Sequence, residues 1–412
     1  MTRSCDIIIA GGGMIGASLA CALDGLGLDV VVVEAAPTPG SPTAPAVLDE
    51  RSTALAPVTQ RILQTLDIWP ALAPEAEPIH RIHVSRRGGA GFTRLDAARD
   101  GVEALGYVVA NRVLGEALAQ RIEACDGVEV INSARVYGLD QLISGRGVAV
   151  TLETGDGRRT LESRALVAAD GADSRCRRLL GIGAQRHDYG QSALVVNLAL
   201  RRPHDGLAYE RFTRDGPMAL LPMTGGRVAL VLTLPQAEVA HWLACSDVAL
   251  VAEVNRRLGG RLGEVEAVGA RQSWPLSLVR ATRLAAAHGV VIGNAAHTLH
   301  PVAGQGFNLG MRDMAVLAEA IAATPALEDS GWLQAYARKR YPDHCRLVGF
   351  SHGLVQLFGR RSPVPGPLLD IGLSGLDLCE IGKRGFVRAA MGLGPGLPRL
   401  ARGLQLRGRP AP

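Results

Sequence analysis

Residues 6–16 read DIIIAGGGMIG, and residues 30–34 read VVVVE. Ile7 to Ala10 is an apolar run of strand length, residues 17–26 have helical composition, and the glycines fall between them. In such a G-x-G-x-x-G turn, Gly11 permits the tight bend, Gly13 lets a pyrophosphate approach the backbone, and Gly16 lets the helix pack on the strand. The helix N-terminus offers free N–H groups and a positive dipole end to phosphate. Met14 and Ile15, inside the fingerprint, are counted with the nucleotide-contacting residues. Val30 to Val33 reads as the next parallel strand, and Glu34 at its end is placed to accept hydrogen bonds from ribose hydroxyls. A carboxylate there disfavours a 2′-phosphate, so the tightly held nucleotide is expected to be FAD or NAD and not NADP.

Residues 290–310 form a second glycine-rich stretch, VVIGNAAHTLHPVAGQGFNLG. A nicotinamide dehydrogenase has no use for it, which turns the expectation toward FAD. Between the two stretches the pattern changes. Residues 79–92 read as strand, turn and strand, residues 111–124 as a helix, and residues 128–136 and 148–154 as strands. Ala165 to Ala169 is a short buried strand. From 194 to 234, apolar segments separated by turns suggest an antiparallel sheet. Residues 40–45 form a Pro-rich loop, residues 49–69 a loop entering a helix, and residues 315–323 a helix. The expected fold is α/β: a Rossmann-like nucleotide-binding domain from residues 1–78, 97–183 and 284–330, an inserted β-rich domain from 79–96 and 184–283, and a helical C-terminal region over 331–412.

Composition bounds the rest. The chain has 412 residues, 47% hydrophobic and 20% charged, enough for two or three domains with a sizeable core. No apolar run reaches the roughly 18–20 residues that span a bilayer. The first strand starts at Asp6, which leaves no room for a leader, so the expected location is the cytoplasm. The seven cysteines show no C-x-x-C pairing, which argues against a structural zinc site, and no metal is expected. From Arg360 onward nine arginines and lysines stand against three acids, within a chain of net charge +5. A basic, partly apolar tail suits the inner face of the cell membrane or a partner, and equally a helix covering the core. Nucleic acid is not expected, because no motif or aromatic platform accompanies the charge.

Three ordered motifs resemble those of the FAD-dependent aromatic hydroxylases typified by p-hydroxybenzoate hydroxylase. They are the turn at Gly11, Gly13 and Gly16, the segment AADGADSR at residues 168–175, and the stretch from Gly293 to Asn308. Within that family the chain looks most like the ubiquinone-biosynthesis branch and its 2-polyprenyl-6-methoxyphenol hydroxylases. The narrower likeness rests on residues 83–92 (HVSRRGGAGF), 209–223 (YERFTRDGPMALLPM) and 300–313 (HPVAGQGFNLGMRD). It covers roughly residues 6–360 and thins in the tail.

The resemblance implies an FAD monooxygenase that hydroxylates the ring of a polyprenylated phenol with O₂, through a flavin C4a-hydroperoxide, using NAD(P)H as donor. It implies that Pro301, Gly304, Gln305, Gly306, Phe307 and Asn308 lie against the isoalloxazine, with Asn308 bonding its pyrimidine edge. It places Arg51 near the flavin and pyrophosphate, Arg112 on the pyrophosphate, and Asp170 beside the ribityl and phosphate region. The family's usual aspartate after Gly293 bonds the ribityl chain. Here it is Asn294, which keeps an acceptor oxygen of similar shape. His297 and His300 are the candidate bases for the phenol, with a purely structural role as the alternative. Two other readings stay open: a hydroxylase of another aromatic substrate, and a flavin-binding subunit of a ubiquinone-synthesis complex.

Overall fold

A computed structural model describes residues 3–38, 51–360 and 362–406. The Pro-rich loop expected at 40–45, residues 49–50, and Arg361, Arg407 and Arg409 of the basic tail lie outside the described residues.

Ile7, Ile8, Ile9 and Val30 to Val33 are all buried. Strands apolar on both faces belong to a parallel sheet covered on both sides. The strand Arg3–Ala10 pairs in parallel with Val30–Val33 on one side and with Gly157–Ala168 on the other. Gly157–Ala168 in turn pairs in parallel with Gly289–Val291. Within this eight-stranded sheet, Ala10, Val33, Ala168 and Val291 therefore end side by side. Each of the three motifs leaves the sheet at this shared carboxyl edge, where open α/β sheets take their ligands.

Several boundaries differ from the sequence reading for local reasons. The first helix runs over Met14–Leu23, starting directly after Gly13. It stops early because Asp24 is extended and Gly25 and Gly27 take positive φ of 73° and 68°. The stretch 128–136 is two strands, Val128–Ile131 and Arg135–Gln141, broken where Ser133 turns to φ 53° and its N–H bonds Ala36 O. The strand at 165–169 is the buried end of a longer one. Its exposed half, from Gly157, pairs with Val148–Thr154 as a hairpin. Residues 51–56 contain the strand Ser52–Leu55, and it leads into the helix Pro57–Thr65.

A nine-stranded sheet joins Arg81–Arg86 and Phe92–Asp96 to the strands between Ala184 and Ala281. It is not wholly antiparallel: Leu207–Thr213 runs parallel to Arg81–Arg86. The hairpin 81–96 enters from a distant part of the chain, so no tight turn dictates its direction. At the C-terminal end, the helices Gly331–Phe358, Gly366–Leu378 and Glu380–Ala390 follow. Leu400 and Ala401 beyond them are buried in the main core, and Thr65 Oγ1 donates to Leu400 O at 3.2 Å. The tail is thus both a set of helices and part of the core.

Candidate functional site

The first motif has the geometry its glycines require. Gly11 has φ 104°, and a Cβ there would stand 2.5 Å from Ala169 O. A Cβ at Gly16 would stand 1.9 Å from Gly11 O, so only glycine lets the helix sit this close to the turn. Around Gly13 nothing lies within 4 Å of a Cβ position. That open space lies at a helix start with no side-chain cap, where free backbone N–H groups suit an anion. Glu34 accepts the Gly12 N–H at 2.6 Å and the Ala36 N–H at 2.7 Å. Each carboxylate oxygen keeps a lone pair for a ribose hydroxyl.

Ile15 faces inward. Cβ atoms at Gly293 and Gly310 would stand 3.2 Å and 2.9 Å from its side chain. The first and third motifs are therefore locked together through one isoleucine packed against two glycines, and Ile15 acts by packing. Met14, half-buried, packs on the same core.

Asp170 ties down the middle motif. Its carboxylate accepts from Ser174 Oγ and, at 2.9 Å, from the Cys176 N–H. Ser174 caps the short helix Arg175–Leu179 through the Arg177 N–H. Arg177, which the sequence reading did not single out, is buried and donates to Ala172 O at 3.1 Å and Ala295 O at 2.7 Å. It binds the second motif to the third.

In the third motif, Gly293, His297, His300, Gln305 and Asn308 are buried, while Pro301, Gly304, Gly306 and Phe307 are half-buried and Asn294 and Ala303 exposed. The stretch 301–307 is thus partly open, most of all at Ala303. The helix Gln305–Ala322 starts there, its first N–H groups free of intrahelical partners. Asn308 does not offer its side chain to a ligand. Its Oδ1 accepts from the Ala56 N–H at 2.8 Å and Thr59 Oγ1 at 2.7 Å, and its Nδ2 donates to Ala54 O and Gly304 O at 2.9 Å and 2.8 Å. Any contact it makes to a pyrimidine edge is through its backbone.

This stitching brings Ser52–Leu55 alongside the loop, and Arg51 with it. Arg51 lies over the Trp274 ring at 4.7 Å, which links the loop region to the nine-stranded sheet. The Asn111 N–H donates to Arg51 O at 2.8 Å, so Arg51 and Arg112 stand at neighbouring points of one rim. Arg112 is exposed and paired with Glu116 one turn along its helix. Such a pair is weak enough to yield to a phosphate.

His297 and His300 are both buried. Burial, with help from His344, pulls the His297 imidazole down to about 3. Burial alone pulls His300 down to about 4. Both rings are neutral at neutral pH. His297 Nε2 lies 3.3 Å from Gly306 O, and its Nδ1 lies 3.5 Å from Asp313 Oδ2. Asp313 accepts from Arg340 Nε at 2.8 Å and His344 Nε2 at 2.7 Å. Burial pushes the Asp313 carboxyl up, but His344 and Arg340 outweigh it and hold the group well below the usual carboxylate range. His297, Asp313 and His344 bring ligand atoms within 4.8 Å of one another. The Arg340 guanidinium bonded to Asp313 supplies the positive charge a cation would, so the cluster reads as an ion-paired brace behind the loop. Arg340 and His344 come from the helix Gly331–Phe358. Their part was not visible in the sequence, because no motif surrounds them.

The family model described as "FAD binding domain" matches residues 4–351. The chain belongs to this FAD-binding family. The open backbone at Gly13, the carboxylate at Glu34 and the partly open loop 301–307 fit that cofactor. Among similar proteins, the ubiquinone hydroxylase UbiL of Rhodospirillum rubrum is 38% identical over 97% of this chain and 93% of its own length. The 3-demethoxyubiquinol 3-hydroxylase of Escherichia coli is 29% identical over 94% of this chain and 98% of its own. Among solved structures, p-nitrophenol 4-monooxygenase PnpA of Pseudomonas putida aligns with a TM-score of 0.76 at 16% identity, covering 96% of this chain and all of that one. The Pseudomonas aeruginosa protein PqsL, a probable FAD-dependent monooxygenase, aligns with a TM-score of 0.73 over 90% of this chain. This chain is a flavoprotein monooxygenase of the ubiquinone-hydroxylase group.

Proposed function

We propose that the chain hydroxylates the aromatic ring of a polyprenylated phenol on the way to ubiquinone, with NAD(P)H as electron donor. The observation that carries this reading is the convergence of three motifs on one carboxyl edge of the parallel sheet, which the nine-stranded sheet meets where Trp274 lies under Arg51. The bound flavin supplies the O₂ chemistry. Gly13 and the first helix take its pyrophosphate, Glu34 its ribose, and loop 301–307 its ring. The free N–H groups at the start of Gln305–Ala322 favour negative charge at the ring edge nearest them. His297, buried and 3.3 Å from Gly306 O, braces the loop from behind. His300, neutral and buried, is a poor base for a phenol, so any ring deprotonation falls to another group or to solvent.

The test is the absorbance spectrum of protein reconstituted with FAD, with NAD(P)H oxidation followed as prenylated phenols are added. A bound-flavin spectrum and phenol-stimulated oxidation coupled to hydroxylated product support the reading. Protein that refuses FAD defeats it.

A water-insoluble substrate calls for a membrane-side approach from the cytoplasm. No helix among the described residues is long and apolar enough to cross a membrane. The helices Gly366–Leu378 and Glu380–Ala390 bury Leu369, Leu373 and Val387, yet leave Ile371, Leu378 and Ile381 at 66%, 84% and 88% exposure. Of their charges, Asp370 pairs with Arg86 and Asp377 with Lys383, while Arg384 and Arg388 are exposed. Peripheral contact would combine apolar insertion of these three side chains with the exposed Arg384 and Arg388. Replacing Ile371, Leu378 and Ile381 together by Asp is expected to abolish co-sedimentation with phospholipid vesicles. Unchanged co-sedimentation removes the contact.

A further inference from the structure

Glu210 is a buried acid in an apolar wall. The strand Leu207–Thr213 alternates, and Glu210 shares its face with Ala208 and Phe212. Ala208 packs with Ile79, Leu95 and Val108. Phe212 packs with Val302 of the third motif and with Val355. Directly across the neighbouring strands stand Ala219 and Val84. This face therefore looks at the loop that follows Pro301.

Two observations set Glu210 apart. The backbone of Ala303 lies close enough to the carboxyl to favour its charged form, and Ala303 holds φ 58°, a conformation rare outside glycine. Its Oε1 is shut off from water and has no hydrogen-bond partner. Buried polar atoms are nearly always paired, and an orphan in a native site calls for a missing partner. The residue as a whole keeps some accessible surface, so its other atoms border open space. Burial pushes the carboxyl up to about 8, while the Ala303 backbone pulls the other way.

We propose that Glu210 recognises the ring hydroxyl of the phenol substrate, with Oε1 as its partner atom. A phenolic hydroxyl can pair with this oxygen in either protonation state, donating to the carboxylate or accepting from the acid O–H, and the apolar neighbours suit the ring. The site would then select a free phenol over a ring without a hydroxyl, because leaving Oε1 unpaired is costly. This rests on the reading of the chain as a phenol hydroxylase.

The experiment uses the FAD-loaded protein. The flavin absorbance change gives dissociation constants for 2-farnesylphenol and for farnesylbenzene, which lacks the hydroxyl. FAD affinity is measured in parallel. Wild-type protein is expected to prefer the phenol by about tenfold or more. Glu210→Leu should erase that preference, and Glu210→Gln, which keeps an acceptor oxygen, should restore part of it, with FAD affinity within about twofold throughout. A wild-type preference that survives in both variants overturns the proposal alone. So does loss of FAD affinity in both with the preference intact in whatever FAD-loaded protein remains, since Glu210 then only supports Ala303. Wild-type protein that binds FAD but neither ring compound overturns the proposal together with the hydroxylase reading.

Discussion

At the scale of single residues, burial decides what the two histidines can do. His300 Nδ1 accepts the Val302 N–H at 3.3 Å, and the Tyr189 ring meets the imidazole edge-on at 5.3 Å. With no charge nearby, burial takes the ring from its ordinary 6.5 to about 4. Between those values the unfolded chain binds a proton that the folded chain refuses. Stability is then full above pH 6.5 and falls as the pH drops toward 4. Thermal unfolding of the apoprotein at pH 6.5 and 4.5 should show a loss that His300→Asn reduces by on the order of 2 kcal/mol. Glu210 has the opposite sign. Its raised value stabilises the fold below about 4.5, and that contribution is lost as the pH rises through 8. The sequence marks both histidines as candidates because they flank the flavin loop. It does not show their burial, which comes from His344, Arg340 and Tyr189, residues that carry no motif. Asn308 is a similar case. Its position in the motif points to the ligand, while its amide is taken up by Ala54, Ala56 and Thr59.

At the scale of elements, the motifs were the legible part. Turn, helix and strand at residues 6–34 follow from a run of apolar residues broken by glycines, and Gly11 and Gly16 serve the turn and the helix packing that their spacing implies. The sharpest case is Gly16, where a Cβ would meet backbone 1.9 Å away and cannot swing aside. Gly16→Ala should lower stability by about 1–3 kcal/mol and sharply weaken FAD binding, read by calorimetry and flavin fluorescence. FAD affinity unchanged by that substitution would contradict the packing described. The direction of Arg81–Arg86 against Leu207–Thr213 was not legible, since parallel pairing between distant segments leaves no turn signal to read.

For the whole molecule, the C-terminal region joins what the motifs keep apart. Gln305 Nε2 donates to Ala390 O at 3.3 Å, and Arg86 forms a two-pronged bond with Asp370 at 3.0 Å and 2.7 Å. Leu400 and Ala401 complete the core beside Pro57–Thr65. Deleting everything after Arg360 should therefore unfold or aggregate the protein, whatever it does to lipid contact. A soluble truncated chain with native circular dichroism would refute this. The sequence reading left three uses of the tail open, and the burial of Val387, Met391, Leu400 and Ala401 shows that covering the core is one of them.

The wedge formed by Ile15 has a consequence for how this chain can vary. Position 15 is a variable place in the fingerprint, free on local grounds to be many things. In this fold its volume is matched to the missing side chains of Gly293 and Gly310, nearly three hundred residues on. A methyl gained at 310 would press on Ile15 Cδ1 at 2.9 Å and on the Gly293 backbone at 3.2 Å, so what position 310 accepts depends on how the side chain at 15 can move. A first motif taken from a relative would therefore keep this contact only where its residue at 15 still fills the space beside the two far glycines.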